Sequence, residues 1–344
     1  MSTTDPTPPL AQIAVRPDPC YVETGTLGQH LNCDFVVQNL TDQPLTITAI
    51  ELSVHDRQGA FVLRRFINHQ GFAPSILTVP NRELAPSETT LVLNPFALFD
   101  PAAELGELTF SFTCETDDAE CDVAVAVLPT MYQAKAELRL PLAGRSLVYD
   151  GHDFYAHHRR FNYLHPAVQP YVSGNFMRYA HDFCPVDADG ATYHGDPDDN
   201  ASWLGFGEPV LTPAAGTVVG LLADMLDDRS FNPADLETEP MRLFGNHVVI
   251  DHGDGEWSMC GHLQAESVTL ALGDSVAVGQ QIGRIGASGS ANIPHLHYEL
   301  RDGLGLRAEG LPATFTGFRR TLGSHAVAVE RGAVDTGDVV EPLA

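Results

Sequence analysis

The sequence predicts an all-β chain in two parts: an N-terminal β-sandwich, then an antiparallel β-sheet domain with long loops. Three observations predict it. Short runs alternate apolar and polar residues along most of the 344 positions, which is the period of a half-buried strand. Gly, Pro, Asn and Asp interrupt these runs at short intervals, as turns between strands do. No long segment carries the 3.6-residue period of an amphipathic helix, and FNPADLETEPMRLF offers only a short one inside a loop. The length suits about two domains, and a hydrophobic fraction of 44% suits globular cores.

Residues 1–17 are rich in Pro, Thr and Asp and read as a loose arm. Residues 18–148 read as an Ig-like sandwich. HLNCDFVVQNL alternates, TDQP turns, LTITAIELSVHD alternates again, and ELTFSFTCE, CDVAVAVLP and AKAELRLPL continue the series. His30, His55 and His69 are scattered there and form no catalytic cluster. Residues 149–174 are dense in His, Arg and aromatics without a clean period, and read as an ordered connecting segment covering part of the second domain. Residues 175–344 return to strands: NFMRYAHDF, GNHVVIDHG, EWSMCGHL, SVAVGQQIGRIG and PHLHYELRDG, with the Asp254-Gly255 turn joining the second and third.

The net charge of −26 excludes a nucleic-acid partner, which needs a basic footprint. No run approaches about 20 apolar residues, so no membrane span is expected. The start, MSTTDPTPPLAQIAVRPDPC, has neither the cationic nor the apolar stretch of a secretory leader. By sequence the expected location is cytoplasmic, or periplasmic or extracellular if the substrate is cell wall. The six cysteines lack C-x-x-C spacing and read as scattered thiols, although Cys114 and Cys121 flank an acidic loop and could bridge a hairpin under oxidant.

The chemistry-bearing residues cluster in the second part. In His295-Leu296-His297 the two histidines fall at i and i+2 of a strand, so both imidazoles share one face. His262 ends the strand EWSMCGHL, sharing by alternation a face with Cys260 and Ser258. Asp182, in RYAHDF, shares by alternation a face with Ala180 and Arg178, while His181 points away. A carboxylate with several strand histidines is the donor set of a zinc hydrolase.

The segment from Gly245 to Gly303 resembles the core of lysostaphin-type, or LytM-like, zinc metallopeptidases. It shows a strand ending in H-G, a following H-L, the G-D-x-V-x-x-G-Q-x-I-G hairpin and a terminal P-H-L-H, in that order. The resemblance covers about residues 175–303 and implies Zn²⁺ as cofactor. It also implies Asp182 and His297 as ligands, His262 and His295 as the acid/base pair, and hydrolysis of peptidoglycan cross-link peptides by a metal-activated water. One position departs. Where the family has a histidine four residues before the aspartate, this chain has Arg178, which has no lone pair to give a metal. Three readings follow: a histidine of the preceding segment (His165, or else His157 or His158) takes the vacant place; the metal is held by fewer ligands or by Cys260; or the domain is catalytically degenerate and binds cell wall or a partner protein. Arg178 and Tyr179 are candidates to face substrate, and the loops 184–208 and 222–245 are expected to wall the groove. A carrier-domain likeness of GDSVAVGQQIG is set aside, because such hairpins carry an attachment lysine and the single lysine, Lys135, is read as lying in the other, N-terminal domain.

Overall fold

A computed structural model describes residues 9–343. Its contacts separate two compact units, one of residues 1–23 and 27–132, the other of residues 24–26 and 133–344. Among the described residues the structure is strands, turns and 3-10 turns, and no helix is long and apolar enough to cross a membrane. Part of the expected N-terminal arm, residues 1–8, lies outside the described residues. The rest of it is not loose: Ala11–Arg16 is a strand antiparallel to Asp34–Asn39. AQIAVR alternates at period two, and the neighbouring prolines masked that signal.

The first unit packs two of its three sheets face to face. One has the order Ala11–Arg16, Asp34–Asn39, Thr89–Leu93; the other has Glu120–Val127, Glu107–Glu115, Leu45–His55, Phe61–Asn68. Strict alternation drives the packing. Leu108, Phe110, Phe112 and Cys114 point inward and are fully buried, while the residues between them are half-exposed. Phe35 from one sheet meets Phe110 and Phe112 from the other at ring separations of 4.7 and 5.0 Å. Each such ring adds dispersion contact to the apolar area removed from water.

Cys114 and Cys121 are direct partners across the antiparallel pair, and both face the core. Burial pushes the Cys114 thiol up to about 12, so it reacts slowly, while Cys121 is half-buried and accessible. Treatment with diamide is expected to consume two thiols slowly and to leave a 114–121 disulfide in the peptide map. The closed loop is short, so the gain in stability is about 2 kcal/mol. Six titratable thiols after prolonged treatment would contradict this.

The second unit is built on one long antiparallel sheet. From one end its order is Ser275–Val276, Gly216–Leu222, Asn246–Asp251, Trp257–Leu263, Leu296–Arg301, His181–Pro185, Ser146–Asp150, Val339–Pro342, Phe315–Leu322, His325–Gly332. The expected turn between the third and fourth strands forms as read, with Asp254 at φ 54° and Gly255 at φ 81°, the pair of positive values that a tight hairpin requires. Lys135 falls in this unit, where its ammonium donates to the carbonyl of Asp254 and its backbone N–H to Glu256. The short helix expected in FNPADLETEPMRLF is two 3-10 turns, Pro233–Glu237 and Pro240–Phe244.

Candidate functional site

Three neighbouring strands bring the site together. Asp182 is the direct partner of His297 across one ladder, and Gly261 is the partner of His297 across the next. Paired residues share a face, so Asp182 and His297 project from the same side of the sheet. His181 faces the other way, with Nε2 3.2 Å from the carbonyl of Val334 and its ring stacked on Phe183.

His262 reaches that side by a route that alternation does not describe. Cys260 pairs with Tyr298, and Ser258 Oγ lies 3.0 Å from Tyr298 Oη, so both belong to the opposite face. Regular extension would send His262 there too. Instead the ladder to Asn246–Asp251 slips between Asn246 and Val248, and His262 takes φ 57°. A bulge of this kind re-aims a side chain, and a left-handed non-glycine residue costs about 1–2 kcal/mol. The imidazole swings beside those of His295 and His297, at ring separations of 4.8 and 5.8 Å. Cys260 stays on the far face, buried, its thiol raised to about 12 by desolvation, and is not part of the cluster.

The surrounding backbone fixes this arrangement. His262 Nδ1 lies 2.8 Å from the Ser288 carbonyl, and His295 Nδ1 lies 2.7 Å from that of Ile293. Both rings are therefore held through Nδ1, which leaves Nε2 directed away from the main chain. Ser288 Oγ accepts from the Asn246 N–H at 2.9 Å and donates to the Leu263 carbonyl at 2.8 Å, tying the bulge to the GASGS loop. Gly245 permits this close approach: it sits at φ 60°, ψ −146°, and a Cβ there would lie 2.4 Å from Ser288 atoms. Gly245→Ala is expected to destabilise the second unit by about 3 kcal/mol, read as a fall in the urea midpoint of its transition. An unchanged midpoint would refute this account of the loop.

The centre of the site is one carboxylate oxygen. Asp182 Oδ1 has His297 Nδ1 at 3.0 Å, His295 Nε2 at 3.3 Å and His158 Nε2 at 3.4 Å. All four side chains are buried or nearly so. His158 is delivered by the connecting segment. Its Nδ1 lies 2.9 Å from the Gly151 carbonyl, and its own carbonyl accepts from Asn175 Nδ2 at 2.9 Å. That leaves His158 Nε2 buried with no hydrogen-bond partner, aimed at Asp182. Donors bound to zinc at about 2.0–2.1 Å stand about 3.3 Å apart in a tetrahedron, the spacing each of these imidazole nitrogens keeps from Asp182 Oδ1. His297 Nε2, on the far side of its ring, lies 3.9 Å from Glu299 Oε1, and Glu299 is paired with Arg301 at 2.8 Å. An acid behind a metal-binding imidazole holds its orientation.

Electrostatics follow from the crowding. Burial works against charge on Asp182, yet His158 and His295 outweigh it and hold the carboxyl well below its usual range. Burial also opposes a proton on His297, but the hydrogen bond to Asp182 and the proximity of Glu299 raise it to about 9. Desolvation lowers His158, with Asp182 opposing, and lowers His262 strongly, with His295 adding to the effect. His158 and His262 are therefore neutral near pH 7, the form that offers a lone pair.

The remaining expected residues lie elsewhere. His165 is exposed, and its Nδ1 accepts from the Ala167 N–H at 3.2 Å; the histidine of the connecting segment that lies beside Asp182 is His158. Arg178 is not on the strand, which begins at His181; residue 178 lies in a turn closed on Asn175. Its guanidinium is fully buried with Nε 2.6 Å from Glu309, and it faces neither the donor cluster nor the cleft. Tyr179 is likewise buried, its ring against His152, and does not line the cleft, so neither residue is placed to face substrate. Among the described residues, Asp150, His157, His158 and Asp182 are the group in which one donor atom from each lies within 4.8 Å of all the others; His157 is exposed and pairs with Asp150. Sequence reasoning missed Asp150, which pairs with Asp182 across a bulged ladder.

The cluster lies in a cleft of about 630 Å³. The loop 222–245 contributes Leu236, Leu243 and Phe244 as expected, residues 184–208 contribute nothing, and the connecting segment forms the other wall.

Residues 204–308 match the model of Peptidase family M23, a stretch that holds His262, His295 and His297. The second unit carries an M23 domain. The chain is 40% identical over 58 residues to the cell division protein DipM of Caulobacter vibrioides, covering 17% of this chain and 9% of that protein. It is 30% identical over 138 residues to the peptidoglycan DD-endopeptidase ShyA of Vibrio cholerae, covering 40% of this chain and 28% of that one. The chain thus spans under a third of the length of either relative. Among solved structures, the catalytic domain of lysostaphin from Staphylococcus simulans aligns at 22% identity and a TM-score of 0.23, covering 35% of this chain and 86% of that one.

Proposed function

We propose that the M23 domain of this chain is a zinc-dependent peptidase that hydrolyses amide bonds of peptidoglycan peptides. In this reading His158, Asp182 and His297 hold the metal, and His262 and His295 act as the acid/base pair. The observation that carries it is the convergence of three imidazole nitrogens at 3.0–3.4 Å on one buried carboxylate oxygen. When bound, zinc supplies Lewis acidity, lowering the pKa of water toward about 7 and polarising a carbonyl. The chain's own contribution is positional. The Nε2 atoms of His262 and His295 face the same space, ready to take a proton from water and return one to the departing amine. Walls on both sides of the cleft exclude bulk water, which strengthens every interaction inside.

The substrate class rests on the resemblance to wall-lytic enzymes and on ShyA being a peptidoglycan endopeptidase. The test is metal analysis of purified protein together with the release of new amines from cell-wall fragments. About one zinc per chain with amine release is the expected result; a chain that takes up no zinc would overturn the reading. Arg178 favours a second reading, in which the domain binds wall peptides without cleaving them. Stoichiometric zinc with no amine release from any wall fragment would decide for it.

A further inference from the structure

We infer that the turn at residues 335–338 positions His158 against Asp182, acting through Gly151. The inference rests on the reading above, in which His158 holds the metal, and names the residues that keep it in place. Both His158 and the turn lie beyond residues 204–308, the stretch that matches the M23 model, so this part of the site is built from other segments of the chain.

His158 sits among turns, with no strand of its own, so its ring stays in place through contacts with other elements. Asn175 Nδ2 holds its carbonyl at 2.9 Å, which fixes the main chain but does not set the ring. The ring is set by the Gly151 carbonyl, 2.9 Å from Nδ1, so that Nε2 is directed at Asp182 Oδ1. Gly151 is itself tied down, because its N–H donates to Thr336 Oγ1 at 2.9 Å. Three residues earlier, Val148 meets the same turn twice: its N–H donates to the Asp338 carbonyl at 2.8 Å, and its carbonyl accepts from the Gly337 N–H at 2.9 Å. Between them, Asp150 Oδ2 accepts from the His157 N–H at 3.1 Å, so the same strand end also holds the residue beside His158. The turn is braced from behind. Asp338 Oδ2 accepts from the Asp335 N–H at 3.0 Å and from Arg320 Nε at 2.9 Å.

The fit is close. A Cβ on Gly151 would stand 3.0 Å from Thr336 Oγ1 and 3.2 Å from the Thr336 nitrogen. Residue 336 is nevertheless exposed, a position where replacement ordinarily changes little. Thr336 touches neither metal nor substrate in this arrangement; it is a positioning residue, and its effect reaches the ion only through the His158 ring. Metal bonds are short and tolerate shifts of only about 0.2 Å, so a ring released from its anchor binds less well.

The test is a double-mutant cycle on the full chain, with zinc affinity read by chelator competition. Partners that orient a ligand directly are worth about 10-fold to 100-fold, and Thr336 stands one hydrogen bond farther away. Thr336→Val should therefore lower zinc affinity about 3-fold to 10-fold while the urea midpoint holds. Thr336→Ser keeps the hydroxyl and should bring affinity back to within about 2-fold. Gly151→Ala keeps both main-chain groups but crowds Thr336, and should reproduce the loss. In the His158→Ala background, Thr336→Val should change nothing further. Unchanged affinity in Thr336→Val, or an equal loss with and without His158, overturns the inference and leaves the metal reading intact. Full zinc affinity in His158→Ala removes the metal reading of His158 and the inference with it.

Discussion

Replacing His158 with alanine is expected to cost the second unit more than about 100-fold in zinc affinity and to abolish amide hydrolysis with it. Partners that merely orient a ligand are worth about 10-fold to 100-fold in metal affinity, so loss of a direct donor should exceed that range. The argument is one of geometry. His158 Nε2 is a buried acceptor with no hydrogen-bond partner, 3.4 Å from Asp182 Oδ1, and its ring is fixed by the Gly151 carbonyl. Such an atom is costly to bury unless it binds something. Chelator competition reads the affinity, and circular dichroism reports whether the fold survives. His165→Ala is expected to match the unaltered chain, because His165 is exposed and bonds only its own turn. His157→Ala should change affinity by less than about 10-fold; a larger loss would move the ion to the grouping at the cleft mouth. Arg178→His should not rescue His158→Ala. Position 178 precedes the strand, and its side chain is directed to Glu309. Undiminished zinc affinity in His158→Ala would remove that histidine from the metal set.

How far the sequence spoke for itself depends on which force placed each residue. Strand periodicity is local, so it set Asp182 on the face opposite His181, while the meeting of Asp182 with His297, 115 residues on, came only from the family resemblance. The same rule failed at His262, since a slipped ladder and a left-handed backbone are set by the packing of Gly245 against Ser288, residues far apart in the chain. It failed at Arg178 as well, because the strand is shorter than the run of apolar residues suggests and residues 175–180 turn instead. The donor from the connecting segment was the hardest to choose. His157, His158 and His165 share residue type and neighbourhood, and only tertiary contacts through Asn175 and Gly151 separate the buried one from the exposed two. The strand at residues 11–16 was hidden for a different reason: its proline-rich surroundings outweighed four to six residues of alternation.

His262→Ala and His295→Ala are each expected to lower kcat by about 10²–10⁴-fold while zinc stoichiometry stays at the unaltered value. The two imidazoles differ from His158 and His297 in what they are tied to. Each donates Nδ1–H to a main-chain carbonyl, Ser288 for one and Ile293 for the other, which aims Nε2 at the cleft and fixes the tautomer. Removing either ring takes away a proton carrier and leaves the His158, Asp182 and His297 donors in the chain, so the loss should fall on kcat and leave KM within a few-fold. The double variant should fall little below the worse single one, because both residues serve the same proton transfers and residues acting as a unit are not additive. His295 is the sharper case. Its Nε2 is 3.3 Å from Asp182 Oδ1, as close as a ligand would be. If zinc is lost from His295→Ala and retained in His158→Ala, the third ligand is His295, and the acid/base role contracts to His262 alone. If both variants keep zinc and full kcat, the reaction does not use these histidines, and the hydrolase assignment of the cluster fails on its chemistry even though its geometry stands.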